Sequence, residues 1–164
     1  MATITFTVTV ASGTNAFGTA NKFFINGAVS PVLELQEGNT YIFDQSDTTN
    51  ANFILALSST KDGTNTAGGQ AYTTGVTTTG TAGQAGAKTT IIVAPVATTG
   101  APTLFYYCAA LAGMGNTANT ISPTSGITNK FNPQIDDIIE EAFERTNIKG
   151  VRTGYQLRSA RRSL

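Results

Sequence analysis

Thr3-Ile-Thr-Phe-Thr-Val-Thr-Val10 is the stretch that decides the fold class. Ile4, Phe6, Val8 and Val10 alternate with Thr3, Thr5, Thr7 and Thr9. Successive side chains of a strand point to opposite faces, so this period of two is a strand with one face in a core and the other in water. Outward from it the same grammar recurs. Lys22–Ile25 reads as a short strand closed by the turn signal Asn26-Gly27. Val32, Leu33 and Leu35 lead to a turn at Glu37-Gly38-Asn39. Thr40–Phe43, Phe53–Leu57, Tyr72–Thr79, Thr89–Ala94 and Thr103–Cys108 supply further strands. The loop Lys61–Gly69 carries Asp62-Gly63 and Gly68-Gly69 as breakers. Thr73–Gly86 is biased toward Thr, Gly and Ala, and its β-branched residues predict an extended surface hairpin rather than disorder. About eight short strands without helical period predict a mainly β fold, a sandwich or small barrel.

The composition shifts near Ser122–Phe131. Residues 132–164 carry eleven of the twenty charged residues. This divides the chain into a β-sandwich at 1–120, a linker at 121–131 containing Ser122-Pro-Thr-Ser-Gly126, and a helical docking segment at 132–164. Asn132 is a good N-cap, Pro133 suits the first helical position, and Asp136 and Asp137 suit the helix dipole. Ile135, Ile138, Ile139, Ala142 and Phe143 form one apolar stripe, and Asn147 and Gly150 are stop signals. A second helix is expected from Thr153-Gly154, with Tyr155, Leu157, Ala160 and Leu164 apolar and Arg158, Arg161 and Arg162 basic. Two short helices make a poor core by themselves, so Ile135, Ile138, Ile139, Phe143, Tyr155 and Leu157 are expected to bury against a partner surface.

The chain has 164 residues with 10 basic and 10 acidic, and 12% charged residues. A neutral, Thr-rich surface exerts no net pull toward nucleic acid or membrane. There is no histidine and no tryptophan, and there is a single cysteine. A Ser-His-Asp triad, a Cys-His pair and an imidazole metal ligand are therefore excluded, as is an internal disulfide. The start lacks a basic region followed by an apolar one, so no signal peptide is read there. No apolar run approaches the roughly 20 residues needed to cross a bilayer.

The most suggestive local feature is Tyr107-Cys108 followed by Leu111, Gly113, Met114 and Gly115, after an apolar strand. A Cys and a Met on such a loop fit the order of blue-copper sites, where Cys, His and a distant Met surround the metal. The runs Lys22-Phe-Phe-Ile-Asn-Gly27, Tyr41-Ile-Phe-Asp-Gln-Ser-Asp47, Tyr72-Thr-Thr-Gly-Val76 and Pro102-Thr-Leu-Phe-Tyr-Tyr-Cys108 together resemble cupredoxin-like domains of structural proteins of marine tailed phages, over roughly residues 20–115. The resemblance implies a cupredoxin-like or Ig-like Greek-key sandwich. It also places a His after the Phe-Asp-Gln-Ser-Asp motif and another three residues past the Cys. Here those positions are Phe53 and Leu111. With both imidazoles replaced, Phe53, Cys108, Leu111 and Met114 are read as a degenerate copper site filled by apolar packing, with no metal and no cofactor.

A second resemblance covers about 34 residues of the tail of the chain. Phe131-Asn-Pro133, Ile135–Arg145 and Arg152–Leu164 look like the start of the helical head-to-tail connector, or adaptor, proteins of podovirus-like marine phages.

Other clusters have plain readings. Asp136, Asp137, Glu140, Glu141 and Glu144 are read as the solvated face of a helix rather than a carboxylate metal site. Arg158, Arg161 and Arg162 share one helix face and suit DNA phosphate, carboxylates of a neighbouring subunit, or solvent. Asp44, Asp47 and Asp62 lack calcium-loop spacing. Gly80–Gly86 lacks the Gly-Lys-Thr/Ser ending of a phosphate loop and is read as a flexible hairpin tip.

The sequence thus predicts a non-enzymatic virion component, made in the host cytoplasm, contacting portal, tail or capsid proteins and copies of itself as a homo-oligomer, with no membrane partner. Two placements compete, a connector or neck protein and a capsid decoration or cement protein. The rival from another class is a copper-binding electron-transfer cupredoxin, opposed by the absence of histidine.

Overall fold

The computed structural model describes residues 1–94 and 102–122. The chain is mainly β, in two mixed sheets. The described residues form ten strands: β1 (Thr3–Asn15), β2 (Gly18–Ile25), β3 (Ala28–Val29), β4 (Leu33–Gln36), β5 (Thr40–Asp44), β6 (Leu55–Ser58), β7 (Val76–Thr79), β8 (Lys88–Ile92), β9 (Leu104–Cys108) and β10 (Asn116–Ile121). One sheet has six strands in the order β3-β2-β1-β5-β8-β7, the other four in the order β4-β10-β9-β6. Two parallel pairings, β1 with β5 and β10 with β4, join strands distant in sequence; the remaining pairings are antiparallel.

The alternation of β1 does what the period of two requires. Val8 and Val10 are buried beside Ile25 and Phe23 of β2, and Phe6 lies beside Phe43 of β5. The Phe6 ring stacks on Tyr41 at 5.9 Å and meets Phe43 at 5.5 Å. The four-stranded sheet turns Leu33, Leu35, Leu55, Leu57, Leu104, Tyr106, Cys108 and Ala118 to the same face by register. These side chains and the inner face of the six-stranded sheet form one apolar cluster. Burying each of its large aliphatic or aromatic side chains stabilises the fold by about 1.5–3 kcal/mol.

The strands differ from expectation at their ends. β1 continues five residues past its alternating stretch, because Ala11–Asn15 pair with Gly18–Lys22 to make a long hairpin. β3 and β10 were not legible in advance. Asn116–Ile121 carries only Ala118 and Ile121 as apolar residues, and Ala118 alone is buried. Asn26 and Gly27 both adopt positive φ, at 50° and 82°, as the tight turn between β2 and β3 demands. The Thr73–Gly86 hairpin is realised as β7 against β8, but its tip is tied down rather than loose. Ala82 and Gly83 are buried, Gly83 N–H donates to the Gln45 carbonyl at 2.9 Å, and a Cβ at Gly83 would meet Ala51 N at 2.8 Å. Of the linker expected at 121–131, Ile121 instead ends β10 and Ser122 follows it, while residues 123–131 and the helical segment at 132–164 with its named side chains lie outside the described residues.

Candidate functional site

The four residues read from the sequence as a degenerate copper site, Phe53, Cys108, Leu111 and Met114, lie on β9, the loop after it and the segment before β6. Cys108 ends β9 opposite Leu55, is buried and is unpaired with any other thiol. Met114 is 0% exposed. Both belong to the apolar cluster, with Phe53 and Leu111 half-buried against its rim. All four therefore contribute hydrocarbon or sulfur to one core. Among the described residues no three His, Cys, Asp or Glu side chains come together as a ligand set.

What surrounds these side chains is a dense backbone lattice. The loop 109–115 is held through Gly113, whose φ of 74° is left-handed. Its N–H donates to both carboxylate oxygens of Asp62 at 3.0 Å, and its carbonyl accepts from Lys22 Nζ at 2.7 Å and from Asn15 Nδ2 at 2.9 Å. A Cβ at Gly113 would lie 2.6 Å from Phe17 Cβ, so only glycine fits there. The Met114 carbonyl accepts from Phe23 N–H and Ser30 Oγ, each at 3.0 Å. Asn65 Nδ2 donates to the Cys108 carbonyl at 2.9 Å. Gly63 packs onto the Tyr107 ring, so the loop Lys61–Gly69 covers the outer side of β9.

Comparison with models of known protein families, with curated proteins and with solved structures returns no match to this chain.

Two buried polar features were missed from sequence. Lys22 stands between Asn21 and the apolar run Phe23-Phe-Ile25 on β2 and is 1% exposed. Burial pulls its pKa below the ordinary lysine value, and the nearby Asp62 carboxylate works against that pull. The second feature explains the Tyr41–Asp47 motif. Gln45, 1% exposed, donates through Nε2 to the Phe53 carbonyl at 2.9 Å and accepts the Leu55 N–H at 3.1 Å. Asn50 donates to the Val8 carbonyl at 2.7 Å and to the Asp47 carbonyl at 3.1 Å. Gln45 and Asn50 thereby hold the segment bearing Phe53 against β1 and β5. A single Gln or Asn among turn formers carries no periodic signal, so this role was invisible in advance.

The three carboxylates weighed for calcium work separately. Asp44 accepts from Ser46 N–H at 2.9 Å. Asp47 caps the short 3-10 turn Thr48–Asn50, accepting from Thr49 N–H at 2.9 Å and Thr49 Oγ1 at 2.6 Å. Asp62 holds Gly113. An open depression of about 270 Å³ on the outer face of the six-stranded sheet is lined by Thr5, Ile42, Asp44, Ser46 and Gly86–Lys88. It offers hydroxyls and one charge of each sign but no aromatic platform. Among the described residues no helix is long and apolar enough to cross a membrane.

Proposed function

We propose that this protein is a non-enzymatic structural component of a tailed-phage particle. Its β region is read as a cupredoxin-like Greek-key sandwich that has lost its copper chemistry and acts through contacts between subunits. The observation that carries the reading is the packing of Cys108 and Met114 into one continuous apolar core, with Phe53 and Leu111, the residues that the resemblance sets in place of the two imidazoles, packed against it. A thiol and a thioether without an imidazole make a poor copper centre. Two mixed sheets that share one apolar core, with β1–β5 and β4–β10 joining strands distant in sequence, support a sandwich.

The charge pattern supports the same reading. A neutral, Thr-rich exterior suits fixed contacts in a symmetric array, where many weak contacts sum to firm attachment. The segment 132–164 is read as the anchor to portal, tail or capsid proteins, with Arg158, Arg161 and Arg162 available to carboxylates or DNA phosphate.

Mass spectrometry of purified particles tests the reading. It is expected to find the chain at about a dozen copies for a connector ring, the form we favour from the tail, or at hundreds for a cement protein. Absence from particles of a phage that encodes it would contradict the proposal.

A further inference from the structure

The four outer edges of the two sheets are not treated alike. At one end of the six-stranded sheet β3 is only two residues long and runs into Ser30-Pro31. In the four-stranded sheet β4 carries Glu34, and its Gln36 N–H is taken by the Tyr41 hydroxyl at 2.7 Å. The edge of β6 is covered by residues 70–72. Tyr72 N–H donates to the Leu57 carbonyl at 2.7 Å, Ser58 Oγ to the Gln70 carbonyl at 2.7 Å, and Ser58 bridges Ala71. Shortness, charge, proline and covering segments are the devices that keep strand edges from pairing. β7, at the other end of the six-stranded sheet, is Val76-Thr-Thr-Thr79 and carries no charge and no proline.

The orientation of the β7 peptide groups follows from the ladder. Ile92 N–H donates to the Gly75 carbonyl at 2.9 Å, and the pairing continues Val76 with Ile91, Thr77 with Thr90, Thr78 with Thr89 and Thr79 with Lys88. In an antiparallel ladder hydrogen-bonded and non-hydrogen-bonded pairs alternate. Thr77 and Thr79 thus exchange bonds with β8, while the N–H and C=O of Thr78 point away from the sheet. Val76 N–H turns back to the Thr73 carbonyl at 3.1 Å. Thr77, Thr78 and Thr79 are exposed.

We infer that β7 is a self-pairing edge, laid antiparallel against β7 of a second copy about a two-fold axis at Thr78. Each Thr78 N–H then donates to the Thr78 carbonyl of the other copy, and Thr77 of one lies across from Thr79 of the other. The segment is self-complementary: it is β-branched throughout, so Thr faces Thr in either direction. The nearest charge on the neighbouring strand is Lys88, cross-strand from Asp44. Across the joined sheets the two Lys88 backbone positions are three strand spacings apart and offset by two residues along the strands, about 16 Å in all, beyond the screening length, so like charge does not oppose the pairing. The inference rests on the functional reading above for the premise that contacts between copies are the protein's purpose, and it names one of those contacts.

Sedimentation of the full chain over a concentration series, with amide hydrogen exchange at each concentration, is the test. The expected result is a reversible dimer in which exchange at Thr78 slows as dimer forms, while Thr77 and Thr79 are protected throughout. Thr78→Pro removes only the outward N–H, a position where proline is compatible with an edge strand, and is expected to raise the dimer dissociation constant at least about tenfold with unchanged circular dichroism. Thr78→Lys, which cannot disturb the backbone, is expected to act in the same direction. A monomer at every concentration, a dimer indifferent to both variants, or a Thr78 amide whose exchange ignores concentration overturns the inference. Any of these in a protein still found in particles leaves the structural reading standing, whereas a β7 dimer absent from particles contradicts that reading alone.

Discussion

Lys22 Nζ lies 2.7 Å from the carbonyl oxygen of Gly113, ninety-one residues further along the chain, at a site sealed from solvent. The same peptide residue gives its N–H to Asp62. A buried cation and a buried anion thus grip the two ends of one glycine and fix the loop that carries Leu111 and Met114. The two charges are not equivalent. Gly113's carbonyl keeps Asn15 as a second donor, whereas its N–H has the Asp62 carboxylate.

Removing one charge at a time should therefore give unequal losses. Asp62→Ala leaves a buried N–H unsatisfied and strips Lys22 of its counter-charge, and is expected to cost about 3 kcal/mol or more. Lys22→Met keeps the stem's packing and removes a desolvated charge, and is expected to change stability by less than about 1.5 kcal/mol at neutral pH. Urea unfolding of both variants checks the asymmetry.

The alkaline limb of the stability curve should have two opposing parts. The folded pKa of Lys22 is below its ordinary 10.5, so between that lowered value and 10.5 the unfolded chain holds the extra proton and stability rises with pH. Burial raises the Tyr106 phenol above its ordinary 10.0, so above pH 10.0 the unfolded chain ionises first and stability falls. Lys22→Met is expected to remove the rise, and Tyr106→Phe the fall, in unfolding midpoints measured from pH 8 upward.

At the acid end, Asp44 and Asp47 have pKa values held below the ordinary 3.8 by hydrogen bonds from Ser46 and Thr49. Their stabilisation is complete above 3.8 and is lost as pH falls through the lowered values. Asp44→Asn with Asp47→Asn should flatten the loss of stability below pH 4 in acid titrations followed by circular dichroism.

Gln45→Leu is expected to cost about 2–4 kcal/mol, because it leaves both the Leu55 N–H and the Phe53 carbonyl without their partner. Asn50→Leu is expected to cost about 1–3 kcal/mol. Gln45 and Asn50 also meet each other at 3.4 Å, so the double variant should lose less than the two single losses combined. A double-mutant cycle in urea measures the difference.

The fold was legible where a period was present. Ile4, Phe6, Val8 and Val10 announce their strand because alternation is a property of sequence alone. β10 was not legible, since Asn116-Thr-Ala-Asn-Thr carries one small buried residue and owes its place to pairing with β4 and β9. β3 exists only because the Asn26-Gly27 turn folds two residues back on β2. At the site, the apolar character of Phe53 and Leu111 was visible in their identities. The Lys22–Gly113–Asp62 grip was not, because three residues separated by forty and fifty-one positions meet only through the tertiary fold.

The account turns on the claim that the pocket around Cys108 is closed hydrocarbon. Titration of the folded protein with Cu(II) and Cu(I), read by visible absorption and by native mass, tests this most directly. The account predicts no thiolate-to-copper band and no stoichiometric metal adduct, with a Cys108→Ala variant giving the same trace. One copper per chain, with an intense visible band that Cys108→Ala abolishes, would contradict it.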